Sequence, residues 1–172
     1  MFTITEALAE IATIDKRLAK KGEGILPYVA RPDQLRDPLE KRGGSEAHVR
    51  QELQSISDLL SRKIQLRAAV AEANSSTQLE IDGVRRSVAD WLVWKRECYV
   101  HEKGILGGII SQVHQVRENL QRVTQEKNAN PIDTVAAVDE RDIAERLDHL
   151  EDIYGRLDGL LSLKNALTTI DV

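Results

Sequence analysis

Leu106, Ile109, Val113, Val116, Leu120 and Val123 follow one another at strict three- and four-residue steps. That spacing holds all six on one narrow stripe of an α-helix, the seam of a coiled coil, narrower than the face a helix turns toward a globular core. A seam of this kind needs another long helix to cover it. Ile143, Leu147, Leu150, Tyr154, Leu157, Leu161 and Lys164 supply one, and the pattern breaks between the two at Asn128 to Pro131. A connector that short lays the two helices antiparallel. Traced backward from Leu106, the first seam passes Glu102, Tyr99, Lys95, Leu92 and Val88, so its first half is less apolar. An unbroken helix from Val88 to Lys127 would be about 60 Å long at about 1.5 Å per residue. Gly104, Gly107 and Gly108 are its expected weak point, because glycine costs about 1 kcal/mol relative to alanine inside a helix. A kink or a close helix crossing is expected there.

Two further helices precede these. Thr3-Ile4-Thr5-Glu6 reads as a capping box, and Ile4, Leu8, Ile11, Ile14 and Leu18 recur behind it at helical steps. Lys16, Arg17, Lys20 and Lys21 gather where a helix dipole favours cations, and Gly22 with Gly24 sets the expected stop. The N-terminal helix thus covers residues 1–21. Residues 22–44 contain Pro27, Pro32, Pro38 and the Gly43-Gly44 pair, which remove amide donors and bias the chain away from helix. They form a connector or an arm, and Ile25, Leu26, Tyr28 and Val29 make it apolar enough to be laid across a partner. Residues 45–172 form the remaining domain. Ser45 is the expected N-cap of a helix running to about Ala73, with Val49, Leu53, Ile56, Leu60 and Ile64 as a stripe that continues toward Val70.

Between this helix and the long seam the period changes from about 3.6 to 2. Thr77, Leu79 and Ile81 fall on one side of an extended segment and Gln78 and Glu80 on the other. Asp82-Gly83 supplies the two positive-φ positions of a type I′ turn, and Val84 to Arg86 returns. Ser87 then caps the next helix, with Asp90 three residues on. Thr168, Ile170 and Val172 alternate after the last helix, and an isolated two-stranded hairpin is marginal in water. The expected fold is therefore mainly α, an antiparallel long-helix coiled-coil bundle with a small hairpin at 77–86 joined by a C-terminal strand at 168–172. "DLLSRKIQLRAAVAEANSSTQLEID" and "GLLSLKNALTTIDV" echo one another as two similar exits from helix to strand.

Composition supports side-by-side helices: 30% of the residues are charged and only 3% aromatic. The net charge of −4, with Lys and Arg spread along the chain, gives no general attraction to phosphate backbones, so nucleic acid is not an expected partner. Arg85-Arg86 and Lys95-Arg96 form a local basic cluster that reads as a solvated face. The single Cys98 precludes an internal disulfide and suits a reducing compartment. No apolar run approaches the roughly 20 residues that span a bilayer, so no membrane partner is expected.

Chemistry is sparse. His48, His101, His114 and His149 are scattered, and Cys98 with His101 is two ligands short of a closed metal site. Glu97 and His101 lie one helical turn apart, as a surface pair would. Acidic pairs such as Glu151-Asp152 and Asp139-Glu140 fall on charged helix faces, where solvation explains them. No nucleophile elbow, phosphate-cradling glycine loop or zinc spacing occurs, so neither an enzyme nor a cofactor is expected. Trp91 and Trp94 share a helical face. Tryptophan anchors many interfaces, but rings this close to the hairpin also suit a cover for the sheet.

The segment "LRAAVAEANSSTQLEIDGVRRSVADWLVWKRE", about the middle fifth of the chain, resembles small helical proteins labelled septicolysin-like. In these a helix ends in an Asn/Thr-rich turn, crosses a short hairpin and enters a second long helix through Ser or Thr. Together with "TITEALAEIATIDKRLAKK", the chain also looks like proteins encoded by tailed bacteriophages. The resemblance implies a virus-encoded assembly component made in the host cytoplasm and carried in the virion, as a capsid-associated, decoration or connector-region protein. Its partners would be copies of itself or a major virion structural protein, with Ile25, Leu26, Tyr28, Val29, Trp91 and Trp94 as the candidate interface. A soluble cytoplasmic adaptor, binding one protein through Trp91 and Trp94, is the alternative. Membrane action of the kind the septicolysin label implies ranks third.

Overall fold

The computed structural model describes residues 1–127 and 134–171, so the expected break at Asn128 to Pro131 and the terminal Val172 lie outside the described residues. In chain order the elements are β1 (Phe2–Thr3), α1 (Ile4–Ile25), α2 (Ser45–Ser76), β2 (Gln78–Ile81), β3 (Val84–Ser87), α3 (Val88–Val93), a π-helical turn (Trp94–Cys98), α4 (Tyr99–Lys127), α5 (Glu140–Leu167) and β4 (Thr169–Ile170). Among the described residues the architecture is mainly α, with four long helices and a small antiparallel hairpin. The chain divides into two units, Met1–Asn74 with Leu163–Val172, and Ser75–Ser162. This differs from the expected division at residues 21 and 44, because α1 does not stand apart: it packs on α2.

In the first unit α1 opens as its sequence requires. The Thr3 hydroxyl accepts from the Glu6 amide (3.2 Å), and the Glu6 carboxylate accepts from the Thr3 amide (2.8 Å) and hydroxyl (2.9 Å). Those donors hold the Glu6 carboxyl below its usual pKa. α1 continues through Gly22 and Gly24 to Ile25, where the approach to Pro27 ends it. Ile4, Ala7, Ile11 and Ile14 bury against Leu66 and Val70 of α2. Arg62–Glu10 (2.9 Å), Lys63–Asp15 and Lys21–Glu52 (2.7 Å) flank that seam, and their order along the chain makes α1 and α2 antiparallel.

β4 corrects the expected three-stranded sheet. It pairs with β1, Phe2 opposite Ile170 and Thr3 opposite Thr169, and not with the hairpin. The reason is local. A helix leaves its first amides without internal acceptors, and the Thr168 carbonyl takes the Ile4 amide at 3.0 Å while Ile170 buries beside Ile4 and Ala7.

The second unit repeats the device. β2 and β3 pair from Gln78–Ser87 to Ile81–Val84, across Asp82 (φ +51°) and Gly83 (φ +75°) as a type I′ turn demands. The Thr77 carbonyl takes the Val88 amide at 2.9 Å, and Ser87 caps α3 by accepting from the Asp90 amide at 3.0 Å. Leu79 and Ile81 point into a core with Val88, Trp91, Leu157 and Leu161. The echoing segments are thus equivalent in role, each handing a threonine carbonyl to the start of a helix.

Helix continues from Val88 through Lys127, but its irregularity is not at the glycines. It is the π-helical turn at Trp94–Cys98, where the Tyr99 amide reaches back to the Trp94 carbonyl. Methyl groups added at Gly104, Gly107 or Gly108 would meet nothing within 4 Å, so no close crossing occurs there. The polar half of the seam is used across to α5. Tyr99 stacks on Tyr154 with ring centroids 4.3 Å apart, Lys95 sits 4.9 Å from the Tyr154 ring and pairs with Asp158, and Glu102 binds Arg146 at 2.6 Å. With Arg117–Glu140, these contacts run antiparallel.

The burial pattern sets the stability test. Leu66 and Leu157 are fully enclosed, whereas Val100 is 58% exposed. Leu66→Ala or Leu157→Ala is expected to cost about 2–5 kcal/mol, and Val100→Ala less than about 0.5 kcal/mol, as read by urea denaturation.

Candidate interaction surface

α2 is 32 residues long and carries two apolar stripes. One, containing Leu59, Leu66, Ala69, Val70 and Ala73, packs on α1. The other, Val49, Leu53, Ile56, Leu60 and Ile64, lies roughly 120° further round at about 100° per residue, too far for the same neighbour to cover both. The sequence pattern reads this second stripe as continuous with Val70, yet of that set only Val70 joins the core. Leu53, Leu60 and Ile64 are 52%, 45% and 69% exposed, and Val49 and Ile56 are half-buried.

At the start of α2 the connector folds back on its own chain. Two short 3-10 turns, Leu26–Tyr28 and Glu40–Arg42, stand at its ends, and Asp37 ties it down. The Asp37 carboxylate accepts from the Leu39 amide (2.8 Å), the Ser45 amide (2.9 Å) and the Ser45 hydroxyl (2.6 Å). Ser45 was the expected cap, but α2 begins with it, and the Gly44 carbonyl accepts from His48 instead (3.2 Å). Gly43 and Gly44, at φ +94° and +90°, make the reversal that brings Asp37 to the helix start, a conformation side chains other than glycine adopt poorly. Hydrogen bonds from the Ser45 hydroxyl and amide, then from Leu39, lower the Asp37 pKa to about 2. Tyr28 meets His48 edge-on at 5.1 Å.

Of the candidate interface residues, Ile25 and Tyr28 are half-buried, whereas Leu26 and Val29 stand 67% and 61% exposed. An open groove of about 740 Å³ lies beside them, lined by Tyr28, Val29, Arg31, Asp33, Val49 and Leu53 among others. Connector and exposed stripe therefore meet in one continuous surface. Nothing in the local sequence marks the stripe as open; the signal was the presence of two apolar stripes on one helix. Asp37 carried no motif at all, since its ligands are backbone groups and a serine eight residues away.

Trp91 and Trp94 belong to the second unit. Trp91 is 3% exposed, donates Nε1–H to the Leu79 carbonyl at 3.1 Å and lies 5.0 Å under the Arg86 guanidinium. It fastens the two-stranded hairpin and has no face left for a partner. Trp94 is half-buried, edge-on to Trp91 at 5.6 Å. Three of the four residues of the basic cluster are engaged within the chain: Arg86 on Trp91, Lys95 on Asp158 and Arg96 on the Leu92 carbonyl at 3.1 Å, while Arg85 is exposed. Asp82 at the hairpin tip binds Arg156 at 2.7 Å, with His149 3.6 Å away. Among the described residues no group of three or more His, Cys, Asp or Glu is arranged to hold a metal, and no buried side-chain nitrogen or oxygen lacks a hydrogen-bond partner. Among the same residues no helix is long and apolar enough to cross a membrane.

Two outcomes follow from these contacts. Asp37, with its pKa depressed, stabilises the connector where it is ionised, so the contribution is whole above the unfolded carboxyl pKa of about 3.9 and fades as pH falls through about 2. Limited proteolysis between residues 29 and 44 should accelerate over that acid window, and Asp37→Asn should show the faster cutting already at pH 7. Trp91→Phe removes the indole hydrogen bond to the Leu79 carbonyl, which the ladder pairing with Arg86 still serves, and should cost about 0.5–1.5 kcal/mol in thermal unfolding.

No family model and no curated protein matches the chain. Among solved structures it is similar to the crystal structure of a functionally unknown conserved protein from Corynebacterium diphtheriae, at a TM-score of 0.61 and 18% identity over 99% of each chain. At that identity the likeness shows a shared fold alone.

Proposed function

We propose that this protein is a non-catalytic assembly component that works by association, with copies of itself or with a larger structural protein, rather than by chemistry on a small molecule. The supporting observation is the row Leu53, Leu60 and Ile64, exposed on the face of α2 turned away from α1. A soluble helix normally turns such a row inward, and apolar residues lined up at helical steps on a surface mark a contact site. The polar groups argue in the same direction. The carboxylates and amines with shifted pKa values are all held by ion pairs or by hydrogen bonds to their neighbours, among them Glu52 with Lys21 and Glu151 with Lys103, which is structural work and not the poise of an acid or base.

The setting we favour is the virion of a tailed bacteriophage, as a capsid-associated, decoration or connector-region protein. That setting rests on the resemblance of residues 3–21 and 66–97 to phage-encoded proteins. A soluble adaptor for one partner protein is the second reading, and it would now use the α2 stripe with Leu26 and Val29, because Trp91 is enclosed. Sedimentation of the purified chain, combined with mass spectrometry of purified particles, tests the proposal. Concentration-dependent association and presence in particles are expected. A chain that stays monomeric and is absent from particles defeats it.

A further inference from the structure

We propose that the α2 stripe pairs with the same stripe of a second copy, antiparallel, about a two-fold axis near Ile56. This deepens the assembly reading above and rests on it. The order of residues along the stripe and its charged ends make it complementary to a reversed copy. Glu46, Val49, Leu53, Ile56, Leu60, Ile64 and Arg67 fall within about 80° of the helix circumference at about 100° per residue, over a length of about 32 Å. Its apolar interior is framed by an acid at the N-terminal end and a base at the C-terminal end.

Set against a reversed copy, the row is complementary to itself: Val49 faces Ile64 of the copy, Leu53 faces Leu60, Ile56 lies next to Ile56, and Glu46 meets Arg67 at both ends. A parallel arrangement would put Glu46 on Glu46 and Arg67 on Arg67, and like charges held together oppose association. The end groups are available. The Glu46 side chain is 86% exposed, tied only to Arg50 on its own helix, and Arg67 is exposed. Of the other charges of this stretch, Glu52, Arg62 and Lys63 bind Lys21, Glu10 and Asp15 of α1, and Asp58 accepts from Gln54 on its own helix. The surface also continues past the row's first end, where Val29 borders the groove beside Val49 and Leu53. A two-fold contact of this kind is isologous and closes at a dimer.

The test uses the full chain in sedimentation velocity from about 1 to 100 µM, a range over which self-association shows as a mass that rises with concentration. Leu60→Glu, at a position 45% exposed, should leave the helix content and melting of the dilute monomer unchanged and weaken the dimer about tenfold or more. Glu46→Arg and Arg67→Glu should each weaken it, and the two together should restore it to within about threefold of the parent. Ile56→Cys in a Cys98→Ser background should give a disulfide-linked dimer on mild oxidation. A dimer indifferent to Leu60→Glu, or single swaps that the double swap does not rescue, overturns this pairing while leaving association through another face intact. A parent chain that stays monomeric across the range overturns the pairing, and only absence from particles as well defeats the assembly reading.

Discussion

The start of a helix is the constraint around which both units are built. Its first amides have no acceptor within the helix, and in this protein the acceptor comes from the end of another helix. The Thr168 carbonyl receives the Ile4 amide and the Thr77 carbonyl receives the Val88 amide. In each case the donor helix is capped by a hydroxyl, of Thr3 or Ser87, opposite an acid three residues on. Each pair of short strands is what that handover looks like in the backbone. Two strands of two residues, β1 and β4, would not persist in water alone; they persist because Ile170 and Ile4 bury in the same core.

From these junctions the helices run side by side with little apolar material between them. The ion pairs along the seams are exposed or half-exposed, and each contributes at most a modest fraction of a kcal/mol. Specificity of pairing is what they add: Glu10, Asp15 and Lys21 on α1, and Arg146, Glu151 and Asp158 on α5, meet opposite charge only when their helices run antiparallel. Stability rests on the few enclosed side chains, Leu66 and Leu157 foremost. A molecule this economical in core leaves apolar side chains over, and the α2 stripe is where they line up.

Much of this was legible beforehand. The capping box at Thr3, the hydroxyl cap at Ser87, the Asp82-Gly83 turn, the inward set Leu79 and Ile81 and the helical repeat of the long segments are local patterns, decided within a few residues by backbone sterics and by the repeats of helix and strand. The partner of β4 was not legible, since alternation in Thr168 and Ile170 shows that a strand exists and not which amides it serves, and Phe2–Thr3 is too short to announce itself. The site was harder still. Of the six candidate residues, Leu26 and Val29 are on an open surface and Trp91 is enclosed, because a tryptophan at helical spacing looks the same whether its ring meets a partner or its own hairpin.

The amino-acid sequence by itself determined where helices begin, where the chain reverses and which side of each segment is apolar, because those follow from φ restrictions, capping groups and periodicity acting over one or two turns. Tertiary structure alone decided which apolar side is covered. α2 presents two stripes of similar composition, and only the docking of α1 onto Leu66 and Val70 leaves Leu53, Leu60 and Ile64 in water. Burial is a property of what arrives from elsewhere in the chain, and no local pattern records it.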